Sequence, residues 1–198
     1  LEAPLSNKGK PDSSKPISLR GTPKAISSLV ECGITHLSLA NNHSFDFGKS
    51  AIIDTQKNLN ENGISSFGFG NNLSEARMPI IQKFEDFSLA FLAYNSYTTN
   101  GRKIASKKSY GISPLNYSYI KSDVDLIKSK DKNTKIIISL HWGIEMNSYP
   151  TPFQTELAKK LIDDGVDIII GHHPHVIQGV QEYNNGIIDN KRTYDNNK

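Results

Sequence analysis

Apolar residues recur along the chain in two rhythms, one helical and one of short, nearly continuous runs. From Thr22 the spacing is helical: Thr22 reads as an N-cap, Pro23 as the first helical residue, Ile26, Leu29 and Val30 share one face, and Gly33 ends the segment. Residues 34–40 then read as a strand that runs directly into Asn41-Asn42-His43. A second helix begins after Gly48, carries Ile52, Ile53, Gln56 and Leu59 at helical spacing, and stops before Gly63; residues 64–67 follow as a short strand. Two strands are expected over 78–84 and 88–94, joined by a hairpin turn at Glu85-Asp86. Tyr117, Ile120, Val124 and Ile127 make the stripe of a third helix. The run over 135–140 is what a strand covered on both faces looks like, and it ends at His141-Trp142-Gly143. A fourth helix from Pro152 places Phe153, Leu157 and Leu161 on one face and ends at Gly165. Residues 167–170 form another buried strand leading into Gly171-His172-His173-Pro174-His175, and 176–181 read as a continuing strand. This alternation predicts an α/β domain with a mixed sheet.

The remaining stretches are punctuation. Residues 6–18 are polar, interrupted by Pro11 and Pro16, and read as a loop. Gly68-Phe69-Gly70 lacks both the Walker lysine pattern and the third glycine of a dinucleotide fingerprint, so it reads as a turn. Residues 95–115 read as a long polar surface connection, a length that favours a functional role.

Charge narrows the picture only slightly. Lys and Arg number 23 against 20 Asp and Glu, a net charge of +3. The lysines are dispersed, Lys103, Lys107 and Lys108 apart, so the concentrated basic face of a nucleic-acid-binding protein is missing and an anionic small or polymeric substrate suits the balance equally well. Cys32 is the single cysteine, which rules out an intrachain disulfide, and it reads as a small, partly buried residue at a helix end. No apolar run approaches the roughly 20 residues of a membrane span, and no signal peptide is visible. The 198 residues are expected to form a single domain cut at both ends, with any anchor lying upstream.

Chemistry concentrates at strand ends. Asn42-His43, His141 and His172-His173-Pro174-His175 each follow the carboxyl end of a predicted strand, where open α/β sheets bind ligands, and together they hold five of the six histidines. A neutral imidazole binds a divalent cation without first losing a proton at neutral pH. His173 and His175, two apart in an extended segment, would face the same way. With the amide oxygen of Asn42, the mixed nitrogen and oxygen set suits Mn, Fe or Zn better than Ca or Mg. Asp46, three residues after His43, either orients that ring as a general acid or caps the following helix. His36, inside a strand, reads as structural.

These residues resemble a known family. The segments 38–43 (Ser-Leu-Ala-Asn-Asn-His) with Asp46-Phe47-Gly48, 140–145 (Leu-His-Trp-Gly-Ile-Glu) with Pro152 and Gln154, and 171–176 (Gly-His-His-Pro-His-Val) are similar to the capsule-synthesis CapA family of the calcineurin-like metallophosphoesterase superfamily, as is the opening Leu1-Glu2-Ala3-Pro4-Leu5. The resemblance implies a sandwich of two mixed β-sheets flanked by helices, with one or two divalent metal ions at the strand ends. It implies Asn42, His141, His173 and His175 as metal ligands, Glu2 where the superfamily has a bridging aspartate, and His43 as the catalytic histidine. It also implies hydrolysis of a phosphate ester by metal-bound hydroxide, with His43 as general acid. The alternative it leaves open is a non-enzymatic, metal-assisted binding or export factor for an anionic polymer, poly-γ-glutamate. A membrane-bound capsule-synthesis complex and a location at the cell membrane or extracytoplasmic surface follow as expectations.

Overall fold

The computed structural model describes residues 1–99 and 103–190; the polar run over 194–198 lies outside the described residues. In chain order the elements are α1 (Ala25–Glu31), β1 (His36–Ser38), α2 (Gly48–Glu61), β2 (Ser65–Phe67), β3 (Phe69–Gly70), α3 (Leu73–Ala76), β4 (Ile80–Lys83), β5 (Ser88–Asn95), β6 (Gly111–Ile112), α4 (Tyr117–Lys130), β7 (Lys135–His141), α5 (Pro152–Asp163), β8 (Ile168–His172), β9 (Gly179–Tyr183) and β10 (Gly186–Asn190). They divide between two compact units, one made of residues 1–78 and 100–114, the other of 79–99 and 115–198.

The second unit is built on a six-stranded mixed sheet of order β4-β5-β7-β8-β10-β9. β5, β7, β8 and β10 run parallel, while β4 and β9 pair antiparallel at the two edges. Apolar pattern decides the burial. Ile136, Ile138 and Leu140 of β7 are fully buried, and Ile120, Val124, Leu157 and Leu161 of α4 and α5 join the same core with Tyr94 and Trp142. Ile137 and Ser139, on the other face of β7, are half-buried. The fourth helix starts where Pro152 and Gln154 place it: Thr151 accepts from Gln154 N, and the Gln154 side chain accepts from Thr151 N, a complete capping box. Phe153 departs from its predicted face and is 57% exposed, because the buried stripe of α5 runs through Gln154, Leu157, Ala158, Leu161 and Ile162 instead.

The first unit packs Leu5, Ile26, Leu39, Phe45, Ile52, Leu59, Ile64, Phe69 and Ile112 into one core. β1 pairs parallel with β2, and β3 pairs antiparallel with β6. Gly68-Phe69-Gly70 is therefore more than a turn. Gly70 sits in a strand against α3, where an added Cβ would lie 2.3 Å from Ala76 N. The segment expected to be a surface connection also enters this unit: Ala105, Ile112 and Ser113 are buried, since β6 and the bridge of Ile104 to Ile112 tie it down. Cys32 is exposed rather than partly buried. The strand expected over 176–181 begins only at Gly179.

Candidate functional site

In the first unit, β1 ends at Ser38 and the chain turns through Asn41-Asn42-His43 into α2. Asn41 makes this turn rigid: its Oδ1 accepts from His43 N at 3.0 Å and its Nδ2 donates to Leu1 O at 2.6 Å. Glu2 is thus carried beside this turn by its neighbour Leu1. Asn42 is buried, and its carbonyl accepts from Lys15 Nζ at 2.8 Å.

Asp46 settles the choice between cap and orienter. The N-cap of α2 is Phe47, with no side-chain cap. The Asp46 carboxylate is fully buried; its Oδ2 accepts from His43 Nδ1 at 2.6 Å and from Leu19 N at 2.7 Å, while its Oδ1 is ion-paired with Lys15 Nζ. A buried carboxylate is costly unless paired and hydrogen-bonded, and here its oxygens are satisfied. With Nδ1 committed to Asp46, Nε2 is the other nitrogen of the His43 ring. Lys15 is the residue that pattern reading missed. The polar loop over 6–18 clamps this turn: Asp12 N donates to Asp46 O at 2.8 Å, Lys8 pairs with Asp54 at 2.6 Å, and nearby Arg20 lies 3.6 Å over the Phe47 ring.

In the second unit, β7 and β8 deliver His141 and His172 side by side in register. Beyond β8 the chain bends sharply. His173 and His175 both hold positive φ, +97° and +56°, so the expected extended segment is replaced by a bend, and their rings converge by turn geometry rather than strand alternation. Such backbone angles in non-glycine residues cost energy and cluster at functional sites. Ring centroids of His141 and His173 lie 4.8 Å apart, those of His173 and His175 6.1 Å. His173 is buried. Glu145 approaches too, its Oε1 3.9 Å from His173 Nε2. One ligand atom each from Glu145, His173 and His175 lie within 4.8 Å of one another. Glu145 was legible only as part of a motif and not as a ligand, because the loop that carries it is placed by tertiary bonds. Met146 N donates to Pro174 O at 2.8 Å and Gln178 Nε2 to Asn147 O at 2.7 Å. Gly143 opens that loop with φ +96°, where a Cβ would meet Gln154 Nε2 at 2.8 Å.

These donors fit a divalent cation. Burial, then the neighbouring His173 and His172 rings, push His141 down to about 2, so at neutral pH its imidazole is uncharged with a lone pair to give. The carboxylate of Glu145 adds a hard oxygen to soft-to-borderline nitrogens. His141, His173 and His175 are thus brought together within one unit, and Asn42, His43 and Asp46 within the other. His36 stays structural, half-buried in β1 with its Nδ1 2.8 Å from Thr35 Oγ1.

Residues 1–189 match the model of the bacterial capsule synthesis protein family, PGA_cap. The chain belongs to that family. Two relatives of this PGA_cap chain are the capsule biosynthesis protein CapA of Bacillus anthracis, 33% identical over 176 residues, and the PGA biosynthesis protein CapA of Bacillus subtilis, 31% identical over 177. Both alignments cover 88% of this chain but 43% and 45% of the relatives, so the chain spans less than half their length. Among solved structures it is similar to a Staphylococcus aureus protein described as a 5'-nucleotidase, in complex with alpha-ketoglutarate (TM-score 0.57, 16% identity, 87% of this chain and 37% of that one). It is also similar to the NAD nucleotidase of Haemophilus influenzae (TM-score 0.56, 14% identity, 79% and 30%). The PGA_cap chain therefore shares the α/β fold of those two structures, with a mixed sheet flanked by helices.

Proposed function

We propose that this PGA_cap chain carries a metal-dependent phosphoesterase-type site that serves synthesis of an anionic capsule polymer. The observation that carries the reading is the hydrogen bond from His43 Nδ1 to the buried, fully satisfied Asp46 carboxylate. That bond fixes the ring's tautomer and direction, which is what a general acid requires. A protonated His43 keeps Nδ1–H on Asp46 and offers Nε2–H to a departing oxygen. His141, His173 and His175, with Glu145, are the residues that would hold a divalent cation, Mn, Fe or Zn; Asn42 and Glu2 are further candidate ligands. The bound cation would supply Lewis-acid polarisation of a phosphoryl oxygen. The chain's own share is to keep the His141 imidazole neutral, to gather His173 and His175 beside it, and to hold a proton at His43 Nε2.

The test is hydrolysis of an aryl phosphate monoester and diester with Mn(II) added. His43→Ala is expected to lower turnover by about 10² to 10⁴-fold; unchanged turnover overturns the reading. We place the protein at the cell membrane or its outer surface, within a capsule-synthesis complex. Among the described residues no helix is long and apolar enough to cross a membrane.

A further inference from the structure

Beside Asn42 the first unit opens into a cleft of about 580 Å³. Lys10, Lys15, Lys49 and Lys103 line it, with Asp12 as the one acidic lining residue among the described residues. These lysines come from well-separated parts of the sequence, and only the fold gathers them. Lys15 is committed to Asp46 and to the Asn42 carbonyl. Lys10, Lys49 and Lys103 are in no ion pair among the described residues.

Two further features set the field in the same direction. The amino-terminal end of the 14-residue helix α2 reaches the cleft at Gly48, with no side-chain cap and no acidic residue in its first turn. The first unit as a whole holds twelve Lys and Arg against seven Asp and Glu, whereas the second holds eleven against thirteen. One wall is aromatic: Phe45 and Tyr110 have ring centroids 5.8 Å apart, and Lys49 Nζ lies 4.2 Å over the Tyr110 ring. Converging like charges in a concave, low-dielectric site are relieved by an anion. Several lysines rather than one suit repeated charges, and an aromatic wall suits the apolar spacers between them.

We infer that this cleft is a binding subsite for a linear polyanion, which it grips next to Asn42. The inference rests on the reading of Asn42 and His43 as part of the reaction centre, but binding in the cleft needs no cation. Its test therefore uses the whole chain in EDTA. Binding of fluorescein-labelled γ-linked hexaglutamate is followed by anisotropy, with unlabelled hexaglutamate, inorganic tripolyphosphate and acetate as competitors. Hexaglutamate is expected to bind, to weaken as salt is raised, and to resist acetate. The exposed double variant Lys49→Gln/Lys103→Gln should lose about tenfold or more in affinity with an unchanged circular dichroism spectrum. Displacement at lower concentration by tripolyphosphate assigns the cleft to phosphate chains; displacement at lower concentration by hexaglutamate assigns it to polycarboxylates. Failure of both polyanions to bind, or binding that ignores the two replacements, overturns the subsite. Binding without turnover in Mn(II) leaves the subsite standing and removes the phosphoesterase reading alone.

Discussion

The two units treat histidine in opposite ways. In the first, His43 is held by a carboxylate that is itself locked by Lys15 and a backbone amide. In the second, burial first and the neighbouring imidazoles after it drive His141 away from its charged form. On the proposed reading, the first arrangement would direct a proton and the second would keep the His141 lone pair available for a cation. One residue type thus takes two jobs, and the neighbours, not the ring, assign them.

The largest effect expected from breaking this contrast lies in the first unit. Asp46→Ala strands the largely buried Lys15 ammonium and should cost about 3–5 kcal/mol in chemical denaturation. The double variant Asp46→Ala/Lys15→Met should recover much of that, and a double variant as unstable as the single would refute the pairing argument. Next comes His173→Ala, which should weaken Mn(II) or Zn(II) binding by on the order of a hundredfold, or about 2.7 kcal/mol, in calorimetry. Unaltered affinity would remove the second unit's imidazoles from the metal reading.

The third effect is one of pH. The unfolded chain protonates His141 near the ordinary imidazole value of 6.5, whereas the folded chain resists until about 2. Between those values the unfolded state binds the extra proton, so stability falls as pH drops through 6.5. From pH 7 to pH 5 the loss in metal-free protein should be about 2 kcal/mol. Thermal melts should show it, and His141→Gln should flatten the profile; an equal slope in that variant would mean the proton goes elsewhere. The smallest effect belongs to Glu145→Gln, expected to weaken cation affinity about tenfold, comparable to loss of a supporting ligand. No change would return Glu145 to the surface.

Much of the fold was legible. Helical stripes such as Ile120, Val124 and Ile127, and the apolar run of β7, announce themselves because burial against a core forces the period. The places of His141 and His172 were legible too, since each closes an apolar strand run. Less was legible in the loops. Nothing local marks residues 6–18 as the clamp on Asp46, or 103–113 as part of a core, because those assignments come from hydrogen bonds to residues distant in sequence.

By itself the sequence determined the periodicity, the α/β class, the family and the residue types available for chemistry, because hydrophobic period and short motifs are local properties. Tertiary structure alone decided that Asp46 orients His43 rather than capping α2, that His173 and His175 meet through a bend, and that scattered lysines share one cleft. Each of those depends on which distant groups satisfy a buried charge or crowd a ring, and that is set only when the chain closes on itself.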